Sequence, residues 1–294
     1  MYKILVMSIA LLIGIGEGLA LTPLFSKIPE AWLQDYGYNP NAINFRLSKR
    51  MKTIPHGIAG ACFCGIFMAL TVYFSFSLIS SLSILKLICI ALAIPMLYLV
   101  LIADKLNRII PDQFSIYILI VGVLMLVSDY TDGTIWFSAG APWFAPLINR
   151  IGAALIGGGV LWLIGFISES FLGREGMGQG DMRLLAACGM MTGLYGLVVV
   201  IYVAAIVAVF FAIPLLIRKN IRLSKEEKLI MSSKNPAEKR REIEQARERI
   251  HFADDPDYLA FGPFLALGTA VFIVAEPFIF EKCAELLLLM GVYF

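Results

Sequence analysis

Long apolar runs separated by short polar segments are the dominant pattern of this 294-residue chain. Most of the runs have roughly the 17 to 25 residues that an α-helix needs to cross a bilayer. The pattern therefore predicts an all-α, polytopic membrane protein. The spans expected from single runs are residues 4–25, 56–79, 82–103, 114–128, 147–168 and 259–275.

The apolar stretch over residues 184–217 is too long for one crossing. As a straight helix it would extend about 50 Å, whereas the hydrocarbon core of a bilayer is about 30 Å thick. The segment Thr192-Gly193-Leu194-Tyr195-Gly196 offers a break. We therefore expect two short spans here and about eight spans in total. The last apolar piece, residues 278–294, contains three charged side chains and is expected to lie at the membrane interface.

The composition agrees with this class of protein. Hydrophobic residues make up 59% of the chain and charged residues 16%, whereas a soluble domain usually has about 25% charged residues. This excludes a cytosolic enzyme and a secreted disulfide scaffold. The net charge of +2 gives no sign of a nucleic-acid partner.

Basic residues are concentrated in four loops, residues 26–55, 104–113, 169–183 and 218–257, whereas residues 129–146 contain no Lys or Arg. The positive-inside rule therefore predicts that the four loops are cytoplasmic and that the N-terminus is outside. This alternation needs an even number of crossings between the third and fourth loops, in agreement with two spans over 184–217. The fourth loop favours a solvated helix, either as a linker near anionic membrane lipid or as a surface for a partner.

Ionisable side chains inside apolar spans are costly, and each is a candidate functional group. Glu17 is expected to make a structural hydrogen bond or to take part in a site. Lys86 and Arg150 are near helix ends and are expected to extend to the membrane surface. Asp104 and Asp181 each lie at a helix end on the predicted cytoplasmic side.

Asp104 and Asp181 have the chemistry of an aspartic protease if the fold brings them together. Two carboxylates at one depth can share a proton, so that one activates a water molecule while the other polarises the scissile carbonyl group. The nearby glycines, Gly176, Gly178 and Gly180, would let an extended peptide come close.

Three other interpretations are weighed against this one. Asp181 alone could cap the start of a helix. The three carboxylates Glu17, Asp104 and Asp181 could form the relay of a proton-coupled transporter, although no convincing inverted repeat is present. A protease with a Gly-x-Gly-Asp motif could also act on other membrane segments. A phosphate-binding loop is excluded because no Gly-Lys-Ser/Thr follows the glycines.

Three motifs in order resemble those of bacterial type IV prepilin peptidases, membrane aspartic proteases of the Gly-x-Gly-Asp class. Residues 173–187 read Gly-Arg-Glu-Gly-Met-Gly-Gln-Gly-Asp-Met-Arg-Leu-Leu-Ala-Ala and are similar to the second aspartate motif of that family. Residues 104–112 read Asp-Lys-Leu-Asn-Arg-Ile-Ile-Pro-Asp and are similar to the first. Residues 261–268 read Phe-Gly-Pro-Phe-Leu-Ala-Leu-Gly and resemble a segment of its last spanning helix.

The resemblance implies a multi-pass protein of the bacterial inner membrane that cleaves a basic leader from prepilins or type II secretion pseudopilins on the cytoplasmic side. It implies Asp104 and Asp181 as the catalytic pair, Pro111 as part of the turn after the first motif, and Asp112 as a turn or cap residue. No cofactor is needed. Residues 81–294 would form the peptidase core, and residues 1–80 an N-terminal membrane segment.

The N-terminal third departs from the family pattern. Bifunctional members have two Cys-x-x-Cys pairs in a cytoplasmic loop, whereas this chain has no cysteine between residues 1 and 61. The sequence therefore predicts no zinc site, and the methyl transfer of bifunctional members is not expected.

Overall fold

The computed structural model describes residues 2–34, 46–77, 83–137, 141–172, 178–233, 235–248 and 259–289. Within these ranges the chain is helical and contains no strand, which confirms the all-α prediction. The α-helices are α1 (Tyr2–Ser26), α2 (Ile58–Ser77), α3 (Ile84–Asn107), α4 (Asp112–Asp132), α5 (Ala145–Leu172), α6 (Gln179–Met231), α7 (Pro236–Glu248) and α8 (Gly262–Leu289).

Seven of these helices, all except α7, are long and apolar enough to cross a membrane. This confirms the prediction of a polytopic membrane protein. The centre of the bundle is formed largely by α3, where Ile90, Ile94 and Leu97 have no exposed surface, and by α8. Many apolar side chains face outward, such as Leu155 at 71% exposure; they are not covered by the described parts of the chain and suit contact with lipid.

The 53-residue helix α6 changes direction at Gly193, where φ is 74° and ψ is 178°. Positive φ is accessible to glycine because it lacks a Cβ atom. The first arm, residues 179–192, begins beside Asp104. The second arm, residues 194–231, then passes α8 in reverse order, with Gly196 beside Phe272 and Val200 beside Gly268.

The second arm therefore returns to the end of the bundle from which the first arm started. Further along it, Phe211 packs against Phe264, near the start of α8. The predicted break is confirmed, and the two arms run in opposite directions, as two crossings within residues 184–217 would require. With α6 counted as two passes, the described helices run eight times between the two ends of the bundle.

Side chains of α5 hold the reversal in place. Asn149 Oδ1 accepts a hydrogen bond of 2.9 Å from the backbone amide of Leu194. Arg150 donates to the backbone carbonyl groups of Met190 and Met191, which end the first arm. Its guanidinium group also pairs with both carboxylate oxygens of Asp129 on α4.

The prediction that Arg150 and Lys86 extend to the membrane surface is wrong. The Arg150 side chain is 6% exposed and is neutralised by Asp129. Lys86 Nζ lies 2.6 Å from Glu276 Oε2 on α8, and both side chains are largely buried. Because a neighbouring helix supplies a carboxylate at the same depth in each case, the cation stays inside the bundle.

The C-terminal region also differs from the prediction. Helix α8 continues through Pro277 to Leu289, so residues 278–289 are not a separate interfacial piece. Residues 290–294 lie outside the described residues. In the charged loop 218–257, the second arm of α6 extends to residue 231 and α7 follows, which confirms the helical prediction for most of this segment.

Candidate active site

Asp104 lies in the last turn of α3, at the same end of the bundle as the basic loops. The helix ends where Arg108 adopts a left-handed conformation, with φ at 57°, and its backbone amide donates to the Asp104 carbonyl oxygen at 2.8 Å. Asp104 is 5% exposed. The chain then turns through residues 109–111 into α4.

Asp181 lies in the first turn of α6, which begins immediately after Gly178. The residue is 9% exposed. Its Oδ1 atom is buried and has no hydrogen-bond partner within the described parts of the chain. An unpaired carboxylate oxygen in a buried position is costly. This is typical of a functional site, where a ligand completes the hydrogen bonding.

The two aspartates meet beside Gly262, the first residue of α8. A Cβ atom placed on Gly262 would lie 2.6 Å from Asp104 Oδ2 and 3.3 Å from Asp181 Oδ1. The two carboxylate oxygens are therefore less than about 6 Å apart. The backbone amide of Gly262 also faces the Asp104 carboxylate. The structure thus brings together the two aspartates that the loop charges placed at one end.

Gly262 is a site residue that reasoning from single residues missed. The segment around it was noted for its resemblance to a family motif, but no role was assigned to it. The signal was the motif itself, because a glycine there leaves the space that the two carboxylates occupy.

Three helices begin around the dyad: α4 at Asp112, α6 at Gln179 and α8 at Gly262. The residues before α4 and α6, Pro111 and Gly178, provide no side-chain cap for the first amides of those helices. The first amide groups of a helix carry a partial positive charge and favour nearby negative charge. The arrangement is therefore suited to carboxylates and to an oxyanion.

The predicted loop residues surround the same point. A Cβ atom on Gly178 would lie 3.7 Å from Asp181 Oδ2, and one on Gly180 would lie 3.3 Å from the Cβ atom of Ile110. Pro111 directly precedes α4. Gly176, the remaining predicted loop residue, lies outside the described residues.

Asp112 has a partner that the sequence did not reveal. Its carboxylate oxygens lie 2.5 and 2.6 Å from Nη1 of Arg183, two residues after Asp181. Asp112 is the first residue of α4 and follows the cap position at Pro111, and its expected role as a turn or cap residue stays a prediction. The ion pair adds a direct link between the two aspartate motifs.

Glu17 lies on α1, where the neighbouring Gly14 and Gly18 pack against α2. Its Oε2 atom is buried without a hydrogen-bond partner in the part of the chain described. No hydrogen bond joins Glu17 to Asp104 or Asp181 among these residues. The structure therefore gives no support to a relay of the three carboxylates.

The loop after α1 is also held at this end of the bundle. The Asn107 side chain, one turn after Asp104, accepts from the backbone amide of Lys49 at 2.8 Å and donates to its carbonyl oxygen at 3.1 Å. Burial opposes the ionisation of Glu30, but hydrogen bonds from Ser48, Gln34 and Arg50 outweigh it and lower the pKa of Glu30 to about 2.

Within the described ranges, no group of three or more His, Cys, Asp or Glu side chains could hold a metal ion. The expectation that the protein needs no zinc stays a prediction. The five cysteines are all unpaired.

Comparison with known proteins places the dyad in a recognised region. Residues 90–213 match the model of the type IV leader peptidase family. A prepilin leader peptidase/N-methyltransferase of Aeromonas salmonicida (strain A449) is 32% identical over 123 residues, which are 42% of this chain and 38% of that protein. One of Neisseria gonorrhoeae is 27% identical over 117 residues, 40% of this chain and 36% of that protein.

The chain thus spans less than two-fifths of the length of these curated relatives. No solved structure matches it. The matched segment extends from the middle of α3 to the second arm of α6 and contains Asp104 and Asp181. The resemblance to type IV leader peptidases is therefore confirmed for residues 90–213.

Proposed function

We propose that this protein is a membrane aspartic endopeptidase that cleaves the basic leader of type IV prepilins or type II secretion pseudopilins. One observation carries the proposal: two buried carboxylates from separate helices meet at the start of a third helix, beside Gly262. Both aspartates lie within the segment that matches the leader peptidase family.

The proposed chemistry uses the two carboxylates as one unit with a shared proton. The ionised carboxylate removes a proton from a water molecule, which attacks the scissile carbonyl carbon. The protonated carboxylate donates a hydrogen bond to the carbonyl oxygen as negative charge develops there. When the tetrahedral intermediate collapses, the first carboxylate passes the proton it took from water to the leaving amine, the C–N bond breaks, and the pair again holds one shared proton.

The surroundings of the dyad support this role. The first amide groups of α6 can stabilise the negative charge on the carbonyl oxygen, since they are fixed in place before the reaction begins. Gly178 and Gly180 add no side chain of their own beside Asp181. An extended peptide can therefore come close to the carboxylates.

The proposed location is the bacterial inner membrane, with the dyad facing the cytoplasm. The distribution of Lys and Arg in the loops supports this orientation. In this arrangement the apolar helix of the substrate stays in the bilayer while its leader reaches the dyad. The relatives' names include N-methyltransferase. The proposal does not extend to that activity, since residues 1–61 lack cysteines.

The proposal is tested with Asp104→Asn and Asp181→Asn, separately and combined. Each single variant should abolish leader cleavage, followed as a mobility shift of a prepilin on a gel, because each removes half of the proton-sharing unit. The double variant should be no worse than either single variant, since residues that act as one unit are non-additive. The rate of wild-type cleavage should have a bell-shaped dependence on pH. Its two apparent pKa values should describe the pair of aspartates and not either residue separately.

Asp129→Asn serves as a comparison, because Asp129 is also buried but is paired with Arg150 at the opposite end of the bundle. Any loss of cleavage activity in Asp129→Asn should be proportional to the loss of folded protein from the membrane. The loss of activity in the dyad variants should occur with the amount of folded protein unchanged. Normal cleavage by both dyad variants would refute the protease proposal. Cleavage that is unchanged when the basic residues of the leader are replaced by neutral ones would instead favour a protease for other membrane segments.

A further inference from the structure

The ion pair between Asp112 and Arg183 connects the two aspartate motifs from outside the dyad. Arg183 Nη1 contacts both carboxylate oxygens of Asp112, at 2.5 and 2.6 Å, and its Nη2 atom lies 3.4 Å from Gln179 Oε1. The pair thus joins the first residue of α4 to the first two turns of α6. Both side chains are well exposed, at 38% and 44%.

Ile110 shows why the position of this connection matters for the dyad. Its side chain lies between the starts of α6 and α8. A Cβ atom built on Gly180 would lie 3.3 Å from Ile110 Cβ, and one built on Gly262 would lie 2.6 Å from Ile110 Cδ1. Asp104 Oδ2 would also lie 2.6 Å from the Cβ atom built on Gly262. A movement of the turn that carries Ile110 therefore changes the space available to Asp104.

The turn between the two motifs is short. Only three residues, 109–111, separate the left-handed Arg108 at the end of α3 from Asp112 at the start of α4. Movement at Asp112 is therefore transmitted directly to Ile110. The Arg183 side chain restrains this movement, since it is anchored on the same helix turn as Asp181.

We propose that Asp112 and Arg183 form a positioning pair that holds the turn over residues 108–112 against the start of α6 and so sets the separation of Asp104 and Asp181. Neither side chain takes part in the chemical step. The inference rests on the proposed peptidase function and assigns to that site two residues that adjust its geometry.

The exposure of the pair sets the expected size of its effect. Solvent-exposed ion pairs contribute little to stability and are screened by salt. Loss of the pair should therefore leave the folded protein intact while the turn samples positions in which the dyad is wrongly spaced. We expect the kcat of leader cleavage to fall by about three- to tenfold, with KM unchanged, because only the alignment of reacting groups is affected.

The experiment compares Asp112→Asn, Arg183→Gln and their combination in purified, detergent-solubilised protein with a prepilin substrate. Each single variant should lower kcat to a similar extent, and the combined variant should be no slower than either, because the same interaction is lost in all three. Arg183→Lys should retain most of the activity, since the positive charge remains. Raising the NaCl concentration should slow the wild type towards the rate of the variants and should affect the variants much less.

Glu285→Gln is the matched control. It removes an exposed ion pair of 2.7 Å with Lys282 in the last turns of α8, at the opposite end of the bundle. It should change neither kcat nor the salt dependence. Melting temperatures of all variants, followed by intrinsic fluorescence, should lie close to that of the wild type.

The inference is overturned if the single variants cleave as fast as the wild type, or if their effects multiply in the combined variant. It is also overturned if kcat falls only in proportion to a loss of folded protein. These outcomes differ from failure of the proposed function, in which the wild type itself would not cleave the leader or the dyad variants would remain active.

Discussion

Substitution of Gly262 by alanine tests the geometry of the dyad with a single added methyl group. The new Cβ atom would lie 2.6 Å from Asp104 Oδ2, 2.6 Å from Ile110 Cδ1 and 3.3 Å from Asp181 Oδ1. Ordinary contacts of a Cβ atom begin near 3.4 Å. Asp104 and Ile110 must therefore move away by roughly 0.8 Å, and a misplacement of about 1 Å in a catalytic group can lower the rate about 100-fold.

The folded state should tolerate the same change. Gly262 does not have a positive φ, so alanine fits its backbone conformation. The atoms that the methyl group meets belong to the ends of side chains, which can rotate, whereas backbone atoms cannot move so easily. We therefore expect Gly262→Ala to lose about 100-fold in leader cleavage while its melting temperature stays close to that of the wild type.

The assay measures kcat/KM for a purified prepilin at equal amounts of folded enzyme. Gly159→Ala is the matched control, because a Cβ atom on Gly159 of α5 meets nothing within 4 Å. Gly189→Ala is the opposite control, since its Cβ atom would lie only 2.4 Å from the backbone carbonyl oxygen of Ala153 and should impair folding. Wild-type cleavage by Gly262→Ala would refute the placement of both carboxylates at this glycine.

Two further predictions concern the whole chain. The loop charges predict that the N-terminus is outside and that the four basic loops are cytoplasmic. A Ser233→Cys variant that lacks the native cysteines should therefore resist a membrane-impermeant thiol reagent in intact cells and react after the cells are opened. Reaction in intact cells would reverse the predicted orientation. Proteolysis should continue in the presence of chelators, because the proposed chemistry uses carboxylates and no metal ion. Purified protein that contains zinc in a 1:1 ratio, and that loses both the zinc and its activity on chelation, would contradict this.

The fold could be predicted largely because apolar run length and loop charge are local signals. The number of crossings within residues 184–217 followed from the thickness of a bilayer and the side assigned to each loop. The break itself was predicted within five residues, and the positive φ of Gly193 shows why a glycine occupies it. The pairing of the two aspartates was predicted from the same alternation of loops between the two sides of the membrane, because it assigns Asp104 and Asp181 to one side and one depth.

What the sequence did not predict depends on which helices are neighbours. Arg150 and Lys86 each have an acidic partner on another helix, Asp129 and Glu276, and nothing local to either cation indicates that partner. The link between Asp112 and Arg183 was missed for the same reason, although both residues lie in recognised motifs. Periodicity shows that a helix forms but does not show what it packs against.

The two ends of the first arm of α6 differ in how completely their buried polar groups are satisfied. The first arm, residues 179–192, rises about 20 Å, less than the roughly 30 Å of the hydrocarbon core, so at least one of its ends lies below the membrane surface. At the reversal, Asn149 and Arg150 complete the interrupted backbone hydrogen bonding, and Asp129 neutralises the cation. At the other end, Asp181 Oδ1 is buried without a partner among the described residues. The first cluster is complete by itself and is structural, whereas the second needs a water molecule or a substrate group to complete it, and this is the property that an active site requires.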